Sequence, residues 1–167
     1  MRVHNFDPAK GQAFQGDVSI VPIPAGITID KTDEIKPIDG RLIIQEGELT
    51  GHHHAIALPR ERKFKPDRQI GDAALQTASA KLRKALGGGK RVEIGSARLY
   101  RDPAAAAAMV NLGLLTRADL AVAVLVVEGG PVTIIHQEHD GIRVPPGNYL
   151  AGRQIESAGA EERVVAD

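Results

Sequence analysis

Short runs of β-branched and other apolar residues, separated by turn signals, are the feature that most constrains the fold of this chain. The runs have only four to eight residues, and glycine, proline or aspartate lies between them: Val18–Ile23, Arg41–Gln45, Leu120–Val127, Val132–Ile135 and Gly141–Val144. Such runs are typical of strands, whereas helices need longer stretches with a helical period. The pattern therefore predicts a mainly β domain, either a β-sandwich or a jelly-roll-like barrel.

The core of such a domain must consist of aliphatic side chains. Aromatic residues make up only 3% of the chain and tryptophan is absent, whereas hydrophobic residues reach 43%. The length of 167 residues fits one domain with a substantial core. The absence of cysteine excludes disulfides, thiolate metal ligands and a cysteine nucleophile. We therefore expect residues 1–167 to form a single β-rich domain.

Residues 60–119 are basic and alanine-rich, and they predict a helical insertion within this domain. From Arg60 to Arg101 there are twelve Lys and Arg against four Asp and Glu, a local net charge of +8. Spacings of three and four between apolar residues predict a helix over Asp72–Leu86. Asp102-Pro103 predicts the start of a second helix, with Asp102 as its cap. The polar tail from Glu156 predicts a frayed end or a weak helix.

The basic segment 60–101 is a candidate surface for an acidic protein or a particle partner. Phe64 and Tyr100 are the only aromatic residues in it, so it lacks the stacking platform of proteins that bind single-stranded nucleic acid. A solvated basic face is the simpler interpretation. We therefore do not expect this chain to bind nucleic acid.

No segment of the sequence predicts association with a membrane. The longest apolar run, Leu120–Val127, is far shorter than the roughly 20 residues that a transmembrane helix needs. The first residues, Met1–Pro8, contain no apolar run that resembles a signal peptide. The expected location is the cytoplasm, or a particle assembled there.

Four of the six histidines fall into two clusters with the spacing of metal ligands. His52 and His54 lie two residues apart on a predicted strand, so their side chains share one face while His53 points to the other. His136 and His139 follow a second predicted strand. If the two strands pair, the imidazoles converge and can bind a transition metal, most favourably Zn²⁺, with Fe, Ni or Cu as alternatives.

Carboxylates near both clusters can complete or orient such a ligand set. Glu138 lies between the second pair of histidines and is included among the predicted metal ligands with His52, His54, His136 and His139. The other nearby carboxylates are those of Glu46, Glu48 and Asp140.

Two other interpretations of the histidines remain open. They can form a polar cluster without metal, in which neighbouring side chains satisfy each other by hydrogen bonds, or a catalytic site without metal. If a metal binds, four protein ligands in a closed tetrahedron make it structural. An open position instead permits metal-assisted hydrolysis or oxygen chemistry. The sequence does not decide whether the protein is an enzyme.

The paired-histidine strand, the further strands and the Pro-Gly turn are together similar to the cupins. Cupins hold a metal in a jelly roll through His-x-His, Glu and a later His. Here no glutamate follows His54 by four or five residues, and Pro145-Pro146-Gly147 is not followed by a histidine. The resemblance therefore implies an architecture only.

The chain more closely resembles an uncharacterised family of small bacterial and phage-encoded proteins. The resemblance covers residues 14–58 and 131–167 and rests on these segments: Gly16–Val18, Glu46–Ile56, His136–His139, Ile142–Tyr149, Arg153-Gln154 and Arg163–Asp167. It implies that the two histidine motifs and the Pro-Pro-Gly-x-Tyr turn belong to one site or one structural corner. It implies no activity.

Two functions from different classes follow from these observations. The first is a metal-binding protein that uses the histidine cluster. The second is a structural or interaction protein without catalysis, such as an oligomeric component of a phage particle, which would place it in the virion. A homo-oligomer is expected in either case.

Overall fold

The structure is a computed structural model that describes residues 2–46, 52–58, 95–158 and 161–164, with the backbone alone for 156–158 and 161–164. The predicted helix over Asp72–Leu86 lies outside these ranges. The bounds of the strands are β1 Val3–Asn5, β2 Ala13–Gln15, β3 Val18–Pro22, β4 Glu34–Ile35, β5 Arg41–Glu46, β6 His53–Ala57, β7 Ser96–Tyr100, β8 Ala121–Glu128, β9 Val132–Ile135, β10 Gly141–Val144, β11 Gly147–Arg153, β12 Ile155–Ala158 and β13 Glu161–Val164.

Among the described residues, one α-helix and two short 3-10 helices lie between these strands. Helix α1 spans Pro103–Asn111, and the 3-10 turns span Pro8–Lys10 and Ala118–Leu120. No helix in the described part of the chain is long and apolar enough to cross a bilayer.

Two sheets face each other, as predicted for a β-sandwich. The first has five strands in the order β1-β10-β9-β6-β5, and the second has six in the order β2-β3-β11-β8-β7-β4. Inward side chains from both sheets form one core, for example Leu42, Ile56 and Ile134 from the first and Ile20 and Leu125 from the second. The expectation of a mainly β sandwich is confirmed, and its core is aliphatic apart from Tyr149.

Strand β8 is buried on both faces, which explains why its sequence is continuously apolar. Leu125 and Val127 point into the core between the sheets. Val124 and Val126 point to the opposite face, where they pack with Met109 of α1. A second apolar cluster therefore joins the helix to the outer face of the six-stranded sheet.

The range 60–119, predicted as a helical insertion, is described only from Gly95 onward. There, β7 pairs with β8 on one side and β4 on the other, so this part contributes a strand to the sandwich before α1 begins. The tail from Glu156 was expected to be frayed or weakly helical, and this expectation is wrong. Instead, β12 and β13 pair as antiparallel strands.

Asp102 caps α1 as predicted and also holds a second segment. Its Oδ1 accepts a hydrogen bond from the Ala105 N–H at 2.9 Å, and its Oδ2 accepts one from the Asp30 N–H at 2.7 Å. The side chain is buried. One carboxylate therefore satisfies two backbone donors that have little access to water.

We expect Asp102→Ala to lower the free energy of unfolding by about 2 kcal/mol, the upper end for a lost helix cap, because a second donor is orphaned as well. Asp102→Asn keeps one acceptor oxygen, so its free energy of unfolding should fall by a smaller amount. Urea denaturation followed by circular dichroism measures both variants. A loss for the alanine variant no larger than for the asparagine variant would contradict this role.

Candidate functional site

The pairing of β6 with β9 brings the two histidine clusters together. The register places Ala55 opposite Ile135 and Ile56 opposite Ile134. If this register continues by one residue, His54 lies opposite His136, and side chains that are paired across two strands contact each other on one face of the sheet. The imidazoles of His52, His54, His136 and His139 therefore converge at one end of the five-stranded sheet.

His136 is the central ring of this histidine cluster. Its centroid lies 4.3 Å from that of His54, 4.6 Å from that of His139 and 5.7 Å from that of His52. The planes of His54 and His139 are inclined to it by 22° and 20°, whereas the plane of His52 is inclined by 82°. Three rings are thus stacked, and His52 meets His136 edge-on.

His54 is buried against a carboxylate and an amide that the sequence analysis did not assign to the site. Its Nε2 lies 2.7 Å from Asp17 Oδ1, and both side chains are only 1% exposed. Its Nδ1 lies 3.0 Å from Gln15 Oε1. Gln45 Nε2 donates to the other carboxylate oxygen of Asp17. Both ring nitrogens of His54 therefore face protein groups.

The hydrogen bonds of Gln15 fix which nitrogen of His54 carries a proton. The Gln15 amide nitrogen donates to the backbone carbonyls of Ile134, at 3.3 Å, and Asp140, at 2.7 Å, so Oε1 is the acceptor. Nδ1 of His54 must then be the donor. A single further proton lies between Nε2 and Asp17 Oδ1, whichever of the two atoms holds it.

Local backbone geometry places these partners. Gly16 and Asp17 form the two-residue turn between β2 and β3, and Gly16 has φ +54°, the conformation that favours glycine at the first position of such a hairpin turn. The register between β5 and β6 shifts between Ile43 and Gln45. Because of this bulge, Gln45 pairs with His54 and turns inward beside it.

Glu138 approaches both His52 and His136. Its carboxylate Oε1 lies 3.6 Å from His52 Nδ1, and its backbone N–H donates to His136 Nδ1 at 3.2 Å. The His52 and Glu138 side chains are 28% and 57% exposed, whereas His54 and His136 are buried. The histidine cluster therefore has a buried inner part, which contains His54 and His136, and an accessible rim, which contains His52 and Glu138.

The remaining candidates take other positions. Asp140 pairs with His4 at the edge strand β1, with 3.2 Å between His4 Nε2 and the carboxylate. Glu46 is exposed at the end of β5, opposite His53, and Glu48 lies outside the described residues. Across the described ranges, no group of three or more His, Asp or Glu side chains is arranged to hold a metal ion as the rings stand.

The Pro-Pro-Gly-x-Tyr turn forms a structural corner. The Tyr149 hydroxyl donates to the Pro145 carbonyl at 2.8 Å, and burial raises the pKa of Tyr149. A Cβ on Gly147 would lie 2.9 Å from that hydroxyl. Phe6 packs against the ring with centroids 5.8 Å apart.

Comparison with protein-family models, with curated proteins and with solved structures found no match to this chain. The resemblances drawn from its motifs stay predictions. The function is therefore argued from the geometry of the histidine cluster.

Removal of the Asp17 carboxylate should destabilise the fold strongly. We expect Asp17→Ala to lower the free energy of unfolding by about 3–5 kcal/mol, because it removes the buried partner of His54 and orphans the Gln45 amide. Asp17→Asn can donate to His54 Nε2 and accept from Gln45, so its loss should be nearer 1 kcal/mol.

Urea denaturation at neutral pH measures both variants, with Asp119→Ala as the control. Asp119 pairs with Arg117 in an exposed position, so its removal should change stability by less than about 0.5 kcal/mol. If Asp17→Ala and Asp119→Ala lower the free energy of unfolding equally, the buried pair of Asp17 and His54 does not stabilise the fold.

Proposed function

We propose that this protein binds a divalent transition metal ion, with Zn²⁺ the favoured ion, where the accessible rim of the histidine cluster meets the buried His136. His52 and His136 are the central ligands, and Glu138 and His139 complete the set. The observation that supports this proposal is the edge-on pair of His52 and His136, 5.7 Å apart and inclined by 82°, with a carboxylate oxygen 3.6 Å from His52 Nδ1.

The separation and the inclination of this pair are compatible with two ligands of a shared ion. The lone pair of an imidazole nitrogen lies in the plane of the ring, so two ligating rings must have planes that intersect at the ion. Two imidazoles on one tetrahedral ion have centroids roughly 5 Å apart, given a Zn–N distance of about 2.0–2.1 Å. The His52–His136 pair is close to this separation, whereas near-parallel stacked rings cannot direct their lone pairs to a common point.

Binding requires two local changes. His136 accepts a hydrogen bond at Nδ1, so a neutral His136 ring carries its proton on Nε2. A metal ion that binds this ring must therefore displace either that proton or that hydrogen bond. His139 must also turn out of its stack on His136. Proton release and side-chain rotation commonly accompany metal binding.

His54 acts as a positioning residue in this proposal rather than as a ligand. Both of its nitrogens face Asp17 and Gln15, and a ring held in this way cannot turn toward an ion without breaking a buried pair. It instead provides a rigid surface on which His136 stacks. Such support around a ligand is what keeps a metal site in a defined geometry.

The exposure of the rim suggests that a coordination position stays open. His52 and Glu138 are 28% and 57% exposed, so water can reach an ion bound between them. With the four protein ligands and one water, the ion would be five-coordinate, as catalytic zinc sites sometimes become and closed structural sites do not.

Metal content and affinity test the proposal directly. The protein is prepared without a histidine tag or a nickel column, and its metals are measured by mass spectrometry. Titration calorimetry then measures Zn²⁺ binding to the apoprotein. We expect one ion per chain, and a loss of affinity of at least about tenfold in His52→Ala and in His136→Ala.

His53→Ala is the matched control, because His53 belongs to the same tripeptide but points away from His52 and His54. It should retain wild-type affinity for Zn²⁺. If His53→Ala loses as much affinity as His52→Ala, the ion is held by neighbouring histidines of the tripeptide instead of the converged cluster. If the wild-type protein binds no metal, the cluster is a metal-free polar site and the proposal is wrong.

A further inference from the structure

Among the described residues, helix α1 covers the middle of the outer face of the six-stranded sheet but leaves the end at β2 accessible. The helix packs through Met109 on Val124 and Val126 of β8. At the other end, Phe14 of the edge strand β2 is 51% exposed, and Leu114 in the segment after α1 is 41% exposed. Two large apolar side chains therefore reach solvent beside each other's elements on this face.

Strand alternation directs Phe14 to the outer face. Its neighbours Ala13 and Gln15 point to the core side of the sheet, and Phe14 pairs across the β2–β3 ladder with Ser19. Val21 lies two residues beyond Ser19 and therefore points the same way, toward the apolar cluster at α1. Phe14, Ser19 and Val21 thus form the floor of a depression, which we call the outer groove.

The outer groove consists of two adjoining cavities of about 260 and 650 Å³. Gln12, Val21 and Leu114 line both cavities, so the two volumes meet at these residues. Volumes of this size are typical of sites for small ligands. Two joined volumes suit an elongated ligand better than a compact one.

The two cavities differ in polarity. Hydroxyl, amide and guanidinium groups line the smaller one, from Ser19, Thr116, Gln154 and Arg153. The larger one is lined mainly by apolar residues, which include Pro8, Ala9, Pro22, Ile23 and Pro24. In the described part of the chain, Arg153 and Lys10 are the only charged residues in either lining. The outer groove therefore joins a polar, positively charged end to an apolar end, which favours an anionic amphiphile.

We propose that the outer groove binds a medium-chain fatty acid. The carboxylate lies at Arg153 in the smaller cavity, and the aliphatic chain runs past Val21 and Leu114 into the larger one. Lys10 is the weaker anchor for the carboxylate, because its side chain is 83% exposed and its Nζ already lies 3.9 Å from the Asp7 carboxylate. Burial of the aliphatic chain supplies most of the affinity. The inference is independent of the proposed metal site.

Decanoate is the probe that tests this inference. Octanoate is the carboxylate with a shorter chain, and decyltrimethylammonium is the cation with the same chain length. Binding to the full chain, with a chelator present, is measured by titration calorimetry and by shifts of backbone NMR resonances. We expect decanoate to bind about fivefold more tightly than octanoate, because two more methylene groups are buried. The cationic amphiphile should bind more weakly than decanoate, and the resonances of Val21 and Leu114 should shift.

Two variants test the two ends of the outer groove. Leu114→Ser should weaken decanoate binding about fivefold, because it removes apolar surface from both cavities. Arg153→Gln should weaken it about threefold, because the guanidinium is exposed and such ion pairs contribute little. Ile38→Ser is the control and should bind as the wild type does, because Ile38 is also exposed, at 59%, but lines neither cavity.

Three results would overturn the inference. Decanoate may bind no more tightly than octanoate, or Leu114→Ser may bind decanoate as the wild type does; either result shows that the chain does not lie in the outer groove. If the cationic amphiphile binds as tightly as decanoate, Arg153 does not select an anion. If sedimentation velocity finds a wild-type dimer that Leu114→Ser converts to a monomer, a second copy of the chain covers the outer groove instead.

Discussion

The pairing of β6 with β9 is the interaction on which the candidate site depends. It joins two parts of the chain that are far apart in sequence, with Ala55 opposite Ile135. The same ladder buries Ile56 and Ile134 in the core, so the hydrophobic pattern fixes the register. A slip of β6 by one residue would turn Ile56 and His54 to the other face, and apolar burial therefore also specifies where the imidazoles meet.

The polar group around His54 is held inside an otherwise aliphatic core. Unpaired, a buried imidazole or carboxylate would cost several kcal/mol. Asp17 and Gln15 contact the two nitrogens of His54, and Gln45 contacts Asp17, so the network offsets this cost. An apolar replacement of the set could be as stable. The same contacts fix the orientation of the His54 ring.

Much of the fold and part of the site could be predicted from the sequence. Strand runs and turn signals predicted the sandwich, Asp102-Pro103 predicted α1, and the two histidine pairs do converge. The inner partners were missed for physical reasons. If inward and outward side chains alternated strictly along β5, Gln45 would point outward after the inward Ile44. The bulge between β5 and β6 turns it inward instead. Asp17 lies in a hairpin turn, where aspartate is normally exposed.

The side chains of the histidine cluster differ in solvent exposure, and this difference decides which imidazoles solutes can contact. His54, at 1% exposure, is fixed by Asp17, and His136 is buried against it. His52 and Glu138 reach solvent, and His139 lines a cavity beside the edge strands β1 and β2. Solutes can therefore reach the cluster from this side, where the side chains are less tightly packed than in the core. The stacking contact with buried His54 limits how far the His136 ring can move.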